Sequence, residues 1–314
     1  MLPLVMRRVG MAVPTLFGVT LIIYLLLSIL PGDPLAGLLP QDATEADRAR
    51  LASSMGLDRA LPVRYVMWLD DVLRGDFGYS QFRRRDVSEL ISTAWGNTAS
   101  LAVYSATFGL VTGVVLGTIA GVYRGSRVDR FVTGFAIFGL SVPSFWIAIL
   151  LLIVFSAQLK LLPAGGLATF EKGPSDYFAH LLMPVLSGAM VTIAITARVS
   201  RASIVETFHA EFVDTLRAKG LREWQVLLHV GKNAASPVLT TAGLQVGVLL
   251  GGSVLIETIF SWPGLGQLVF NAIAARDLPV VQATTVVIAT TFVLLNLLVD
   301  LIQMTFDPRL KRGA

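Results

Sequence analysis

The chain has 314 residues, of which 54% are hydrophobic and only 15% charged, with a net charge of +4 and a mean hydropathy of +0.70. Soluble domains carry about 25% charged residues, so the composition excludes an ordinary soluble globule and points to a bilayer. The absence of cysteine excludes disulfides, thiolate catalysis and cysteine-ligated metals.

Six stretches have the roughly 20 predominantly apolar residues that a spanning helix needs: 9–30, 98–122, 132–156, 180–199, 236–260 and 281–304. This predicts an all-α integral membrane protein with six transmembrane helices. The first stretch follows Arg7 and Arg8, but it is longer than a secretory core and lacks a small-residue cleavage site, so it reads as a retained anchor. The chain divides into residues 1–30, an outer segment 31–97, a five-helix core 98–304 containing a charged loop at 200–235, and a tail 305–314.

Orientation follows the placement of Lys and Arg in short loops. Fourteen lie on one side: Arg7, Arg8, Arg124, Arg127, Arg130, Arg198, Arg201, Arg217, Lys219, Arg222, Lys232, Arg309, Lys311 and Arg312. Only Lys160, Lys172 and Arg276 occupy the opposite short loops. Both termini are therefore expected in the cytoplasm. Segment 31–97 is then extracytoplasmic, and its eight basic residues count little because long loops translocate largely regardless of charge. Within it PGDP (Pro31 to Pro34) breaks the chain out of the first span. The run LPVRYVMWLDDVLRG sets Val63, Val66, Met67, Leu69, Val72 and Leu73 along one helix face. That stripe suits a packed cap over the bundle or a docking surface for a soluble partner.

In the second span Gly109, Gly113, Gly117 and Gly121 recur every four residues, and Gly243, Gly247 and Gly251 do so in the fifth. Such stripes let another helix backbone approach closely, within the chain or from a second membrane subunit. Pro143 in SVPSFW is expected to kink the third span. The two intramembrane acids, Glu257 near the outer end of span five and Asp300 near the inner end of span six, sit near the interfaces. There water or a neighbouring dipole satisfies them, unlike the mid-membrane groups of an ion-coupled pump.

The charged loop carries an apolar stripe of Ile204, Val205, Phe208, Phe212, Val213 and Leu216, then Lys219–Gly220, then a second stripe of Leu221, Trp224, Leu227 and Leu228. This predicts helix, glycine turn, helix, with Pro237 marking entry into the fifth span. Such a pair either rests in the lipid headgroups or protrudes into a cytoplasmic partner.

Function classes narrow in the same way. No GxxxxGK[ST] phosphate loop occurs, so ATP, if used, is bound by another chain. His180, His209 and His229 are far apart and make no metal-ligand pattern. The basic residues are scattered over loops, which makes nucleic acid no partner. A secondary transporter calls for mid-membrane ionisable groups or inverted repeats with broken helices, and a membrane enzyme for a nucleophile–base set at depth; neither is evident.

The segment LRAKGL followed by KNAASPVL resembles the EAA loop of bacterial ABC-importer permeases of the dipeptide/oligopeptide/nickel type. PGDP, MGLDRALPVRY, WLDDVLRGDFGYS, SVPSFW, ETIFSWPGLGQLVFNAIAARDLPVVQ and DPRLKR are similar to that family in order along nearly the whole chain. Where the general triplet reads Glu-Ala-Ala this chain has Asp214, Thr215 and Leu216, and small Ala235 and Ser236 precede Pro237. The resemblance implies the type I importer permease fold in the bacterial inner membrane. It also implies a second, usually non-identical permease subunit, two cytoplasmic ATPases that hold ATP and Mg, and an extracytoplasmic binding protein. In this picture Asp214, Thr215, Leu216, Arg217, Ala218, Lys219, Gly220 and Leu221 form the ATPase-coupling helix and turn. This chain itself is then no enzyme, carries no cofactor, and moves peptides or similar small solutes, with nickel or a metal chelate as the alternative cargo.

Overall fold

The computed structural model describes residues 2–29, 44–54, 56, 58–170 and 173–306. PGDP, Lys172 and the terminal DPRLKR lie outside these residues, as do the side chains of Arg7, Arg8 and Asp300. Helices dominate: α1 (Leu2–Ile29), α2 (Glu45–Ser54), α3 (Leu61–Leu73), α4 (Val87–Val122), α5 (Arg127–Ser141), α6 (Ser144–Leu151), α7 (Pro174–Phe208), α8 (Glu211–Ala218), α9 (Glu223–Gly252), α10 (Val254–Ile259), α11 (Leu265–Ala275) and α12 (Leu278–Phe306). A small antiparallel hairpin, β1 (Tyr79–Ser80) with β2 (Arg85–Asp86), precedes α4. Among the described residues four helices are long and apolar enough to cross a membrane, and a fifth span results if α5 and the helix after it count as one.

The central pair is α4 and α7, two long helices held at close range by small residues. A Cβ built on Gly109 would lie 2.9 Å from Thr192 Cβ, and one on Gly113 would lie 2.7 Å from Thr196 Cβ. On Gly117 it would meet Ser200 Cβ at 2.6 Å, and on Gly121 the Ile204 Cγ2 at 2.7 Å. The glycine stripe of α4 thus admits the side chains of α7, which replaces the hydrophobic drive that lipid does not supply. On α9, a Cβ built on Gly247 would lie 3.0 Å from Oδ1 of Asn296 on α12, while Gly243 lies half-buried and Gly251 falls in the last turn.

Three elements differ from their sequence reading. The third expected span is bent by 102° between α5 and the stretch Ser144–Gln158, the latter part of which, Leu152–Gln158, is π-helical. Val142 is extended (ψ 127°) because a residue before proline is driven out of the α region, and Pro143 then starts a new helix instead of kinking the old one. The fifth expected span is divided at Ser253 between α9 and α10, after the two poor helix formers Gly251 and Gly252. On α3 the face turned inward is that of Tyr65, while Val63, Val66, Met67 and Leu73 are exposed. Tyr65 stacks edge-on against Tyr24 and Phe17 of α1, and its hydroxyl pairs with Thr20 Oγ1 at 2.9 Å. An aromatic with a polar tip outcompetes aliphatic side chains for that polar-edged niche.

Candidate functional site

The charged loop folds on a core of its own. α7 ends at Phe208, the chain turns at His209–Ala210, and α8 follows as a separate two-turn helix. This corrects the single amphipathic helix expected from Ile204 onward. Val213 is fully buried in a cluster with Ile204 of α7 and Val226, Val230 and Ala234 of α9. Phe208, Phe212, Leu216 and Leu221 close around it. Glu211 and Asp214 occupy the first turn of α8 and Arg217 the last, each placed favourably against the helix dipole.

Gly220 takes φ 79°, the left-handed region that a side chain resists, and reverses the chain into α9. The Gln225 side chain accepts the Arg222 N–H at 2.9 Å where α9 begins. Arg217 grips the Glu223 carboxylate across the turn with Nε at 3.1 Å and Nη2 at 3.3 Å. Glu223 raises the Arg217 guanidinium pKa further, so the tip keeps its positive charge. The residues of this charged loop therefore divide into two sets. Asp214, Thr215, Arg217, Ala218, Lys219 and Gly220 are exposed; Leu216 and Leu221 turn toward the small core. Trp224 and Leu228, one turn apart on α9, extend the exposed surface.

α9 is continuous from Glu223 to Gly252, with Pro237 well inside it. The expectation that Pro237 marks the start of the membrane helix is thus corrected. The first half of α9 is helical because Val226, Val230 and Ala234 pin it to α7 and α8. Proline inside a helix costs the backbone hydrogen bond to the Asn233 carbonyl, a loss that packing against neighbouring helices tolerates in a membrane protein.

Two polar contacts tie the knob's base to the turn between α4 and α5. Buried Asp129 accepts both the Arg201 guanidinium of α7 (Nη2 at 2.8 Å) and the Gly125 N–H at 2.9 Å. Arg124 Nη1 lies 3.3 Å from His209 Nε2, whose Nδ1 lies 2.6 Å from the Val205 carbonyl. The carbonyl fixes the proton on Nδ1, leaving Nε2 to accept from Arg124.

At the opposite end of α4 a second network holds α10 and α11. Glu257 is completely buried, and its carboxylate accepts from Thr98 Oγ1 (2.8 Å), Ser253 Oγ (2.7 Å), Gly266 N (2.7 Å) and Gln267 N (3.2 Å). It therefore caps the N-terminus of α11. A Cβ on Gly264 would sit 2.5 Å from its Oε2, which explains the glycine in the PGLG turn. Trp262 donates to the Asn97 carbonyl, and Asn97 donates to the Pro263 carbonyl. Ser80 of the hairpin donates to Asp277 between α11 and α12. Sequence reasoning missed the Thr98, Asn97 and Asp277 partnerships, because each pairs residues more than 150 positions apart.

A bundle of long apolar helices with a folded charged knob at one end and a hydrogen-bonded corner at the other is the build of a multi-pass membrane protein. The family described as binding-protein-dependent transport system inner membrane component matches residues 113–312, and its N-terminal counterpart matches residues 1–102. The chain belongs to this family and is an inner-membrane component of such a system. A probable peptide ABC transporter permease of Sinorhizobium fredii is 38% identical, over 98% of each chain. A putative peptide permease of Brucella suis is also 38% identical, over 99% of each. The dipeptide transport system permease DppB of Escherichia coli is 34% identical, again over 99% of each.

Proposed function

We propose that this chain forms one half of the pore of an ATP-driven importer of peptides. Similarity to a dipeptide permease along 99% of both chains supports the cargo class, and the curated peptide permeases leave nickel no comparable support. The pore is completed by a second, homologous permease subunit. An extracytoplasmic binding protein delivers the peptide, and two cytoplasmic ATPases hold ATP and Mg. All six spans cross, with both termini in the cytoplasm.

The observation that carries the coupling role is α8 itself: a two-turn helix with its own apolar anchor and an exposed charged face. Anchored by Val213, it transmits a push from an ATPase groove into α7 and α9 without unfolding. Alternating access then follows as a two-state rearrangement biased by ATP bound in another chain.

The test is ATP turnover in a reconstituted complex of this chain, its sibling, the ATPases and the binding protein. The double variant Gly220→Pro, Arg217→Glu removes the positive φ that proline cannot adopt and reverses the tip charge. Substrate-stimulated turnover is expected to fall about tenfold or more, equivalent to about 1.4 kcal/mol of lost coupling. Full stimulation in that variant would refute the coupling role.

A further inference from the structure

Near the midpoints of α4 and α7 lies a cleft of about 160 Å³, bounded by α4, α6, α7, α9 and α10. Three interruptions of helical backbone meet there. Ser144, the first residue of α6 after the 102° corner, lines it, as does Pro184, which lacks the N–H that the His180 carbonyl would otherwise accept. Ser253, at the break between α9 and α10, is on its wall as well. Irregular backbone within a membrane bundle is tolerated where it is packed in protein or lines a cavity, and broken helices in transporters gather at the solute site.

The side chains supply an independent observation. Ser105 and Thr192 are each 2% exposed and Gln245 8% exposed, and all three line this cleft. Among the described residues their hydroxyls and amide, and the hydroxyl of Ser144, have no hydrogen-bond partner. Thr196, Ser200 and Thr284 are the described residues whose hydroxyls are both sealed off and unpartnered; the four cleft groups instead stay open to the cleft, where a solute can complete their hydrogen bonds. No lining residue is charged. The nearest acid, Glu257, already accepts four donors.

We propose that this cleft is a way-station for cargo inside the permease, a neutral subsite that hydrogen-bonds one backbone amide unit of a peptide in transit. This rests on the peptide reading above. A hydroxyl and a primary amide each donate and accept, which matches the N–H and C=O of a peptide unit. An ammonium or carboxylate would be desolvated there with no counter-charge, so it is excluded. The cleft reads backbone and not side chains, which suits a pore that passes many sequences.

The experiment uses the whole reconstituted complex with di- and trialanine, and measures peptide moved per ATP hydrolysed. Gln245→Leu and Thr192→Val keep side-chain volume while removing the hydrogen bonds. Each is expected to lower peptide moved per ATP about tenfold, the effect of one hydrogen bond of about 1.4 kcal/mol. The Tm of either variant should stay close to that of the unaltered complex, because no hydrogen bond within the protein is removed. The backbone-ester analogue of trialanine should be moved about tenfold less well than trialanine by the unaltered complex, and Gln245→Leu should erase that difference. Unchanged peptide per ATP in both variants would overturn the proposal and leave a merely hydrated gap. If the unaltered complex shows no peptide-stimulated ATP turnover at all, the peptide reading fails and takes this inference with it.

Discussion

At the scale of single residues, Glu257 shows how much a buried charge can organise. Four donors converge on its carboxylate, two of them the leading N–H groups of α11. Glu257→Gln changes no volume but replaces an acceptor oxygen with a donor amide, so at least one N–H or O–H loses its partner. We expect a loss of about 1–3 kcal/mol, measured as a lower Tm in detergent. Thr98→Val should cost less, because it removes only one donor to the carboxylate and the Leu265 N–H acceptor. An unchanged Tm for Glu257→Gln would mean the network is incidental. Sequence alone places this acid near an interface where a dipole can satisfy it, and the dipole is that of α11. The turn that folds α11 back onto Glu257 was not legible, and neither was Thr98, which lies 159 residues away.

Among elements, the α4–α7 pair behaves as an interlocked seam. Gly117 has no room for a methyl group, whereas a Cβ on Gly134 of α5 meets nothing within 4 Å. Gly117→Ala is therefore expected to destabilise by about 1–3 kcal/mol through overpacking. Gly134→Ala should be neutral or stabilising by about 0.5–1 kcal/mol through helix propensity. Thermal unfolding of the two variants side by side checks the contrast, and equal shifts would refute it. Fourfold glycine spacing made this seam visible in the sequence, though not its partner. Other elements were hidden for physical reasons. Period alone does not show that Tyr65 will outcompete Val63 and Val66 for the surface of α1, because the polar edge it needs, Thr20, is on another helix. A proline at 143 and a proline at 237 look alike in sequence. One opens a helix after a sharp corner, and the other is carried through a helix pinned on both sides.

For the whole molecule, the knob and the hairpin lie at opposite ends of α4, whose 36 residues extend about 54 Å. That exceeds the roughly 30 Å of bilayer hydrocarbon, so in the proposed topology the two ends emerge on different sides. Since the chain has no cysteine, Ala218→Cys and Arg74→Cys each create a unique thiol within it. In right-side-out vesicles a membrane-impermeant thiol reagent should label Arg74→Cys and leave Ala218→Cys untouched until the membrane is opened. The reverse pattern would invert the proposed topology. The unbroken run of α9 gives this arrangement a mechanical meaning. From Glu223 beside the Gly220 turn to Gln245 at the inner cleft, the helix is an arm about 33 Å long. Pivoting it by about 5° about its Glu223 end sweeps the far end through about 3 Å, the length of one hydrogen bond. In the proposed mechanism, a nudge at the knob would be converted, by leverage alone, into the making or breaking of a grip at the inner cleft.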